Sequence, residues 1–302
     1  MVDRTPSSAP LVVAPPQRGL VVGAVSYLNT RPLVHGLGGP GLTLRFDLPS
    51  RLADGLAAGA LDVALIPTIE LFRGNGYSVV SDACIGCRGA VMSVKLFFRT
   101  KPERVATMAV DEGSRTSVAL SRILLAERYG VRPRLETLPI GGRLSDTAAD
   151  AVLVIGDRAL GGHGGPAGDG GCFQLVWDLG DEWCRWTGLP FVFAVWAARP
   201  GVDPVALASL ARALEAARDR GRRSLASIAA IEAAGHGLTV PQCLGYLRDN
   251  LHYDLGVDER AALALFRARA AALGLAPAAE PVVNVRSVAA AESRGGNDGS
   301  SR

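Results

Sequence analysis

No apolar run in the sequence is long enough to span a membrane, because the uninterrupted runs have only the length of a strand. The sequence also lacks any block of lysine and arginine with interleaved aromatic residues, and its net charge is only +3. These absences exclude a membrane span and disfavour a nucleic-acid partner, although a mild positive charge can still attract a small anion. With 48% hydrophobic and 20% charged residues, the 302-residue chain can build a substantial core, in one domain or two.

Cysteine and histidine are scarce and scattered. The five cysteines are odd in number, which favours reduced thiols over a disulfide framework. Cys84 and Cys87 have the CxxC spacing, but no second CxxC and no spaced histidine pair accompanies them, so a zinc site is disfavoured. The four histidines form no Ser–His–Asp or Cys–His pattern, so a hydrolase would lack its base. The glycine-rich segment Gly161–Gly171 contains no GxxxxGK and indicates a flexible connection rather than a phosphate cradle.

The two ends of the chain are rich in small residues and proline. We expect residues 1–18 and 276–302 to be disordered tails, because such compositions do not form a packed core. Within the first tail, the apolar stretch Leu11–Ala14 is too short for the core of a signal peptide. This favours a cytoplasmic protein.

Between the tails, strand and helix patterns alternate, which predicts an α/β protein with parallel sheets. Two long apolar segments, Ala90–Arg99 and Pro190–Ala198, bracket the middle of the chain. We interpret them as two hinge strands that connect a discontinuous first lobe, residues 19–98 and 199–275, with a second lobe, residues 99–198. A cleft between two lobes is a favoured site for a small ligand.

The segment Val21–Leu33 starts as an apolar strand and opens through Ser26, Tyr27 and Asn29 into a predicted helix. Asn29 or Thr30 could cap that helix. Polar side chains at the carboxyl end of a strand lie where open α/β sheets bind their ligands. The alternative is an ordinary strand-to-helix turn with a capping asparagine.

A second strand-to-helix turn carries an excess of hydroxyl groups, on Ser114, Thr116 and Ser117, with Arg115 between them. The first turn of a helix has unpaired N–H groups and a dipole that favours negative charge. The turn therefore predicts a site for a carboxylate or a phosphate. A capped helix without a ligand is the alternative, although one cap would need only one hydroxyl.

Three further polar residues are candidates for the cleft. Ser93 is a small hydroxyl in an otherwise apolar hinge strand, and it could line the cleft or bond to backbone. Lys95 lies on the same face of that strand and could meet an anion or solvent. Asp157 follows the apolar strand Ala151–Ile155 and could cap a short helix or align a residue of the cleft.

Four segments together resemble chorismate dehydratases, the MqnA-type enzymes of the futalosine route to menaquinone. The similarity runs in register from about residue 19 to about residue 273. The segments are SYLNTRPL at Ser26–Leu33, LDVALIP at Leu61–Pro67, GSRTS at Gly113–Ser117 and WCRWTGLPFVFAVW at Trp183–Trp196.

The resemblance implies a type II periplasmic-binding-protein-like fold and a cytoplasmic enzyme without a cofactor or metal. It also implies a reaction that converts chorismate to 3-[(1-carboxyvinyl)oxy]benzoate and water. Asn29 and Ser93 are then the expected catalytic residues. The expected substrate-binding residues are Ser26, Tyr27, Ile66, Pro67, Ser114, Arg115, Thr116, Ser117 and Asp157.

Other functions stay open at this point. A sister family that makes 1,4-dihydroxy-6-naphthoate has a similar fold, but it opens with a Pro-Cys-Pro-Asn type motif and uses a histidine. This sequence has Tyr27-Leu28-Asn29 there and no histidine in the matching loops. A solute-binding protein would need a secretion signal, and a ligand-sensing regulator would need a DNA-binding helix pair. The sequence leaves the catalytic base and the oligomeric state undetermined.

Overall fold

A computed structural model describes residues 19–160 and 173–278. The expected tails fall mostly, and the glycine-rich segment Gly161–Gly171 entirely, outside the described residues. Eleven strands are found in the described part: β1 Leu20–Val25, β2 Leu42–Asp47, β3 Val63–Pro67, β4 Ser78–Cys87, β5 Val94–Phe98, β6 Thr107–Asp111, β7 Arg134–Leu138, β8 Ala151–Ile155, β9 Leu175–Asp178, β10 Phe191–Ala198 and β11 His252–Asp254.

Helices cover the faces and edges of the sheets. The α-helices of the described residues are α1 Pro49–Ala57, α2 Thr116–Tyr129, α3 Asp157–Leu160, α4 Leu179–Thr187, α5 Pro204–Arg223, α6 Leu225–Glu232, α7 Val240–Gly245 and α8 Val257–Ala272. Two 3₁₀ segments, Leu28–Val34 and Thr68–Phe72, follow β1 and β3, and a π-helical turn spans Tyr246–Asn250. No helix within the described ranges is long and apolar enough to cross a membrane.

The strands form two sheets, one in each lobe. The first has the order β11-β4-β10-β3-β1-β2 and the second the order β7-β6-β8-β5-β9. The predicted α/β class with two lobes is therefore confirmed. The sheets are mixed rather than all parallel: β10 runs antiparallel to β3 and β4, and β5 runs antiparallel to β8 and β9. The chain enters the second lobe through β5 and re-enters the first lobe through β10.

The hinge lies elsewhere than predicted. The chain leaves the first lobe at the end of β4, crosses through residues 88–93, and only then enters β5 in the second sheet. It returns through residues 188–190 into β10. The predicted long strand Ala90–Arg99 is thus wrong for its first four residues, where Met92 has a φ of 60° that breaks an extended strand. The lobe boundaries expected after residues 98 and 198 also differ from the strand pairing, which puts β5 in the second sheet and β10 in the first.

The 3₁₀ segment that carries Asn29 is held by a close helix contact. Helix α5 crosses it at Gly221, where a Cβ atom would lie only 2.0 Å from the carbonyl oxygen of Pro32. Any larger residue at Gly221 would push the segment away from the helix. The segment begins at Leu28 without a side-chain cap, so the predicted caps Asn29 and Thr30 do not act as caps.

An aromatic cluster packs beside the return crossing. Trp183 of α4 contacts Phe191 of β10 with ring centroids 5.2 Å apart, and Phe191 contacts Phe266 of α8 at 5.0 Å. The indole N–H of Trp183 donates to the carbonyl oxygen of Pro190 at 3.0 Å. The sequence block Trp183–Trp196 therefore anchors the second lobe on the first, rather than supplying many side chains to the cleft.

Candidate active site

The cleft lies between the carboxyl ends of the parallel strands of the two sheets. It encloses about 540 Å³, including space open to solvent. Its apolar lining consists of Val25, Pro49, Pro67, Ile85, Val91, Val94, Ile155, Phe193 and Ala194. Its polar lining comes from the turns after β1, β6 and β8 and from the crossing before β5.

Most of the predicted site residues line this cleft. They are Tyr27, Asn29, Pro67, Ser93, Ser114, Arg115, Thr116 and Ser117. They come from both lobes and from the hinge, because the turns that carry them follow strands whose carboxyl ends face each other. Their assignment as substrate-binding or catalytic residues stays a prediction.

Three predicted residues lie outside the lining. The backbone N–H of Ser26 donates to the carbonyl oxygen of Asp47 at 3.0 Å, which continues the pairing of β1 with β2. Ile66 is fully buried in β3, a central strand that pairs with β10. Asp157 follows Gly156 in the chain, and its carboxylate accepts a hydrogen bond from the backbone N–H of Leu28 at 3.0 Å. None of these three side chains is part of the cleft lining.

Asp157 connects the two lobes. Besides the Leu28 N–H, its carboxylate lies 3.1 Å from Nδ1 of His236, which belongs to the first lobe. Burial raises the pKa of Asp157, and the bond from Leu28 and the charges of His236 and Arg31 act against that rise. The carboxylate takes the place of the missing cap at the start of the 3₁₀ segment.

The start of α2 presents backbone N–H groups to the cleft. No side chain caps this helix, and Ser114, Thr116 and Ser117 are all buried at its first turn. The preceding turn is fixed by the buried carboxylate of Asp111, which accepts the N–H of Gly113 at 2.9 Å. An uncapped helix start with adjacent hydroxyl groups is a favourable place for a carboxylate.

Thr116 also contacts the other lobe. Its hydroxyl oxygen accepts a hydrogen bond from the backbone N–H of Ile69 at 3.2 Å. The hydroxyl proton is not used by this bond and can still be donated to a ligand. The same atom can therefore hold the lobes together and bind a substrate.

Arg115 is the only cationic side chain in the lining described here. It reaches the first lobe, where its guanidinium lies 2.7 Å from a carboxylate oxygen of Asp54 and 3.4 Å from one of Glu70. Its pKa is raised: burial opposes the rise, but the bond and charge of Asp54 and the charge of Glu70 outweigh burial. Arg115 is thus an ion-paired bridge between the lobes at the rim of the α2 site. The other cation considered, Lys95, donates instead to the carbonyl oxygen of Ala159 at 3.0 Å.

Tyr27 fits against two glycines of the second lobe. A Cβ atom on Gly156 would lie 2.7–2.8 Å from three carbons of the Tyr27 ring, and one on Gly113 would lie 3.4 Å from its hydroxyl oxygen. Burial, followed by the nearby carboxylates of Asp111 and Asp157, raises the pKa of Tyr27 well above its usual value. The phenol is therefore protonated at neutral pH and cannot serve as a base.

Asn29 and Ser93 occupy neighbouring positions of the cleft. Oδ1 of Asn29 accepts a hydrogen bond from the hydroxyl of Thr30 at 3.2 Å, which orients the amide. Ser93 is almost fully buried, and its carbonyl oxygen accepts the N–H of Gly156 at 2.8 Å. That bond ties the hinge crossing to the turn after β8.

One polar residue beside the cleft lining was not predicted from the sequence. Tyr246, in the π-helical turn, is buried beside Asn29 and Ser93. It lies in a helical region whose apolar spacing indicates a core face, so no local pattern distinguishes it from a packing residue. The described chain holds no group of three or more His, Cys, Asp or Glu side chains that could bind a metal ion.

Comparison with known proteins agrees with this geometry. A family model described as menaquinone biosynthesis matches residues 20–272. The chain belongs to this family. Among curated proteins, a chorismate dehydratase of Thermus thermophilus is 34% identical to this chain over 271 residues. The match covers 85% of this chain and 96% of the relative.

Solved structures relate the family member to a known fold. Protein AF1704 of Archaeoglobus fulgidus matches with a TM-score of 0.69 at 16% identity, over 86% of this chain and 99% of that one. The periplasmic aliphatic sulphonate binding protein SsuA of Escherichia coli matches with a TM-score of 0.57 at 15% identity, over 87% and 89%. At such identities the likeness concerns the fold alone, and it confirms the predicted periplasmic-binding-protein-like architecture.

Proposed function

We propose that this protein is a chorismate dehydratase, a hydro-lyase that converts chorismate to 3-[(1-carboxyvinyl)oxy]benzoate and water for menaquinone biosynthesis. The observation that carries the proposal is the uncapped, hydroxyl-rich start of α2, which faces a largely apolar cleft of suitable size between the lobes. The family assignment and the similarity to the Thermus thermophilus chorismate dehydratase support it.

The reaction requires three catalytic functions of its site. Removal of the proton at ring carbon C3 leaves a carbanion that is conjugated through a ring double bond to the ring carboxylate. Loss of hydroxide from C4 then makes the ring aromatic, and the hydroxide with the proton gives water. A site must therefore bind the ring carboxylate as its charge grows, assist the departing hydroxide, and provide a base.

The start of α2 suits the first task. Its backbone N–H groups and the hydroxyls of Ser114, Thr116 and Ser117 can donate to the ring carboxylate, and the helix dipole favours the added negative charge. Asn29 and Ser93, across the cleft, can donate to the C4 hydroxyl as it leaves. The apolar lining excludes water and strengthens these hydrogen bonds.

The base comes from the substrate in this proposal. Among the residues that the structure places in the lining, only Tyr27 and Arg115 carry titratable side chains. The raised pKa values of both keep them protonated. The carboxylate of the enolpyruvyl group, attached through oxygen at C3, is close to the proton that must leave. Without water it becomes a stronger base.

The alternative enzyme of the same fold is disfavoured by the lining. A 1,4-dihydroxy-6-naphthoate synthase uses a histidine, whereas the described lining of this cleft contains none. The cytoplasmic location implied by the sequence resemblance stays a prediction.

Incubation of the purified protein with chorismate tests the function. We expect a product one water lighter, identified by chromatography and mass as the carboxyvinyloxy-benzoate. Binding of chorismate without turnover would indicate a binding protein instead. Conversion of cyclic dehypoxanthine futalosine, with no effect on chorismate, would indicate the sister enzyme.

A further inference from the structure

The phenol of Tyr246 is a buried polar group that packing alone does not explain. The residue is 2% exposed, and its hydroxyl has no partner within hydrogen-bond geometry among the described residues. Burying a hydroxyl without a partner costs free energy that phenylalanine would not cost. An unsatisfied buried group in a native structure therefore calls for an explanation.

The position of this hydroxyl supplies the reason. It lies next to the polar atoms of Asn29 and Ser93, the two residues expected to act on the leaving hydroxyl. The turn that carries Tyr246 is fixed to the same hinge crossing as Ser93, because the amide of Asn250 donates to the carbonyl oxygen of Ala90 at 2.9 Å. The π-helical turn continues directly from α7, and π-helical turns in helices are often found at functional sites.

A neighbouring tyrosine shows what an ordinary buried phenol looks like here. Tyr253 is 3% exposed, and its hydroxyl donates to the carbonyl oxygen of Leu247 at 3.1 Å. The two phenols thus have similar burial but different bonding. Only Tyr246 keeps its hydroxyl for the cleft residues.

We propose that Tyr246 is a positioning residue that links Asn29 and Ser93 in one hydrogen-bond chain when substrate closes the site. Nδ2 of Asn29 donates to the Tyr246 oxygen, and the Tyr246 hydroxyl donates to Oγ of Ser93. Ser93 then has one proton left, which points to the C4 hydroxyl of the substrate. Hydrogen bonds of this kind are commonly long in an unliganded enzyme and tighten in the complex.

The protonation state of the phenol suits this role. Burial raises the pKa of Tyr246 above its ordinary value, and the polar side chains of Ser93 and Asn29 close to the hydroxyl only partly offset that rise. The hydroxyl therefore keeps its proton at neutral pH. Each link in such a chain polarises the next, which strengthens the final donor.

Tyr246→Phe tests this inference, which rests on the proposed dehydration. The variant removes one oxygen atom, so we expect an unchanged or higher melting temperature. We expect kcat for chorismate to fall about ten- to a hundredfold with little change in KM, because the donors lose their alignment while the carboxylate site stays intact. Tyr253→Phe is the matched control, with a lower melting temperature and wild-type kcat.

A double variant separates positioning from an independent effect. In a Ser93→Ala background, Tyr246→Phe should lower kcat by a smaller factor than it does in the wild type, since Ser93, one of the two donors that it aligns, is already gone. Wild-type kcat in Tyr246→Phe, or a full further loss in the double variant, would refute the assignment. A wild-type protein that does not dehydrate chorismate would instead refute the proposed function.

Discussion

Gly156 is the residue at which a single methyl group should keep the two lobes from closing. Its φ of 67° lies in the left-handed region, and a Cβ atom would lie 2.7–2.8 Å from three carbons of the Tyr27 ring. Those distances are well inside the 3.4 Å at which ordinary contact begins. Gly156→Ala therefore carries two costs, one in the backbone and one against the ring.

The backbone cost should appear in the stability of the protein, and the contact with the ring should appear in its steady-state kinetics. The left-handed backbone costs about 1–2 kcal/mol of stability for a residue with a Cβ atom. The contact with Tyr27 joins two lobes, so opening of the cleft relieves it and leaves stability unaffected. Substrate must then close the lobes against a displaced ring, at about 1–3 kcal/mol, which raises KM for chorismate roughly five- to 150-fold.

Gly130→Ala is the matched control for this prediction. Gly130 ends α2 with a φ of 69°, and no atom lies within 4 Å of a Cβ built there. It should show the same loss of stability in urea unfolding and wild-type steady-state kinetics. If Gly156→Ala has the same KM and kcat as Gly130→Ala, the packing of Tyr27 on Gly156 does not control closure and the reasoning is wrong.

Three further variants test the cleft. Thr116→Val should raise KM for chorismate by the equivalent of about 1–3 kcal/mol while circular dichroism shows a retained fold, and Thr116→Ser should restore it; unchanged kinetics would remove this hydroxyl from the site. Asn29→Ala and Ser93→Ala should each raise the activation free energy of turnover by more than they lower the free energy of unfolding. Full turnover in either variant would refute the role of that residue. Because the pKa of Asp157 is raised in the folded protein, ionisation of this carboxyl favours unfolding. The wild type should therefore lose stability relative to Asp157→Asn as pH rises from the ordinary pKa of 3.8 through the raised pKa. A stability difference that does not depend on pH would contradict the shift.

The sequence predicted what depends on local pattern. The start of α2 was predictable because its strand, its glycine and its hydroxyl residues are consecutive, and a helix start exposes N–H groups wherever it occurs. The same holds for the placement of Asn29 after β1. Both predictions needed only the periodicity of neighbouring residues.

Long-range pairing explains what the sequence did not predict. Nothing local shows that β5 pairs with the second sheet, because an apolar strand fits either sheet equally well. Asp157 bonds across the cleft to Leu28, 129 positions away, so its supporting role needs the folded chain. Tyr246 resembles any aromatic residue on a core face until the turn that carries it is seen beside Ser93.

The most direct test of the central claim is a crystal structure of the protein with 3-[(1-carboxyvinyl)oxy]benzoate, the proposed product. We expect the ring carboxylate within hydrogen-bond distance of the backbone N–H groups at Thr116 and Ser117. The ring carbon that carried the hydroxyl should face Asn29 and Ser93. A product bound outside the cleft, or bound in it with the ring carboxylate turned away from the start of α2, would contradict the account.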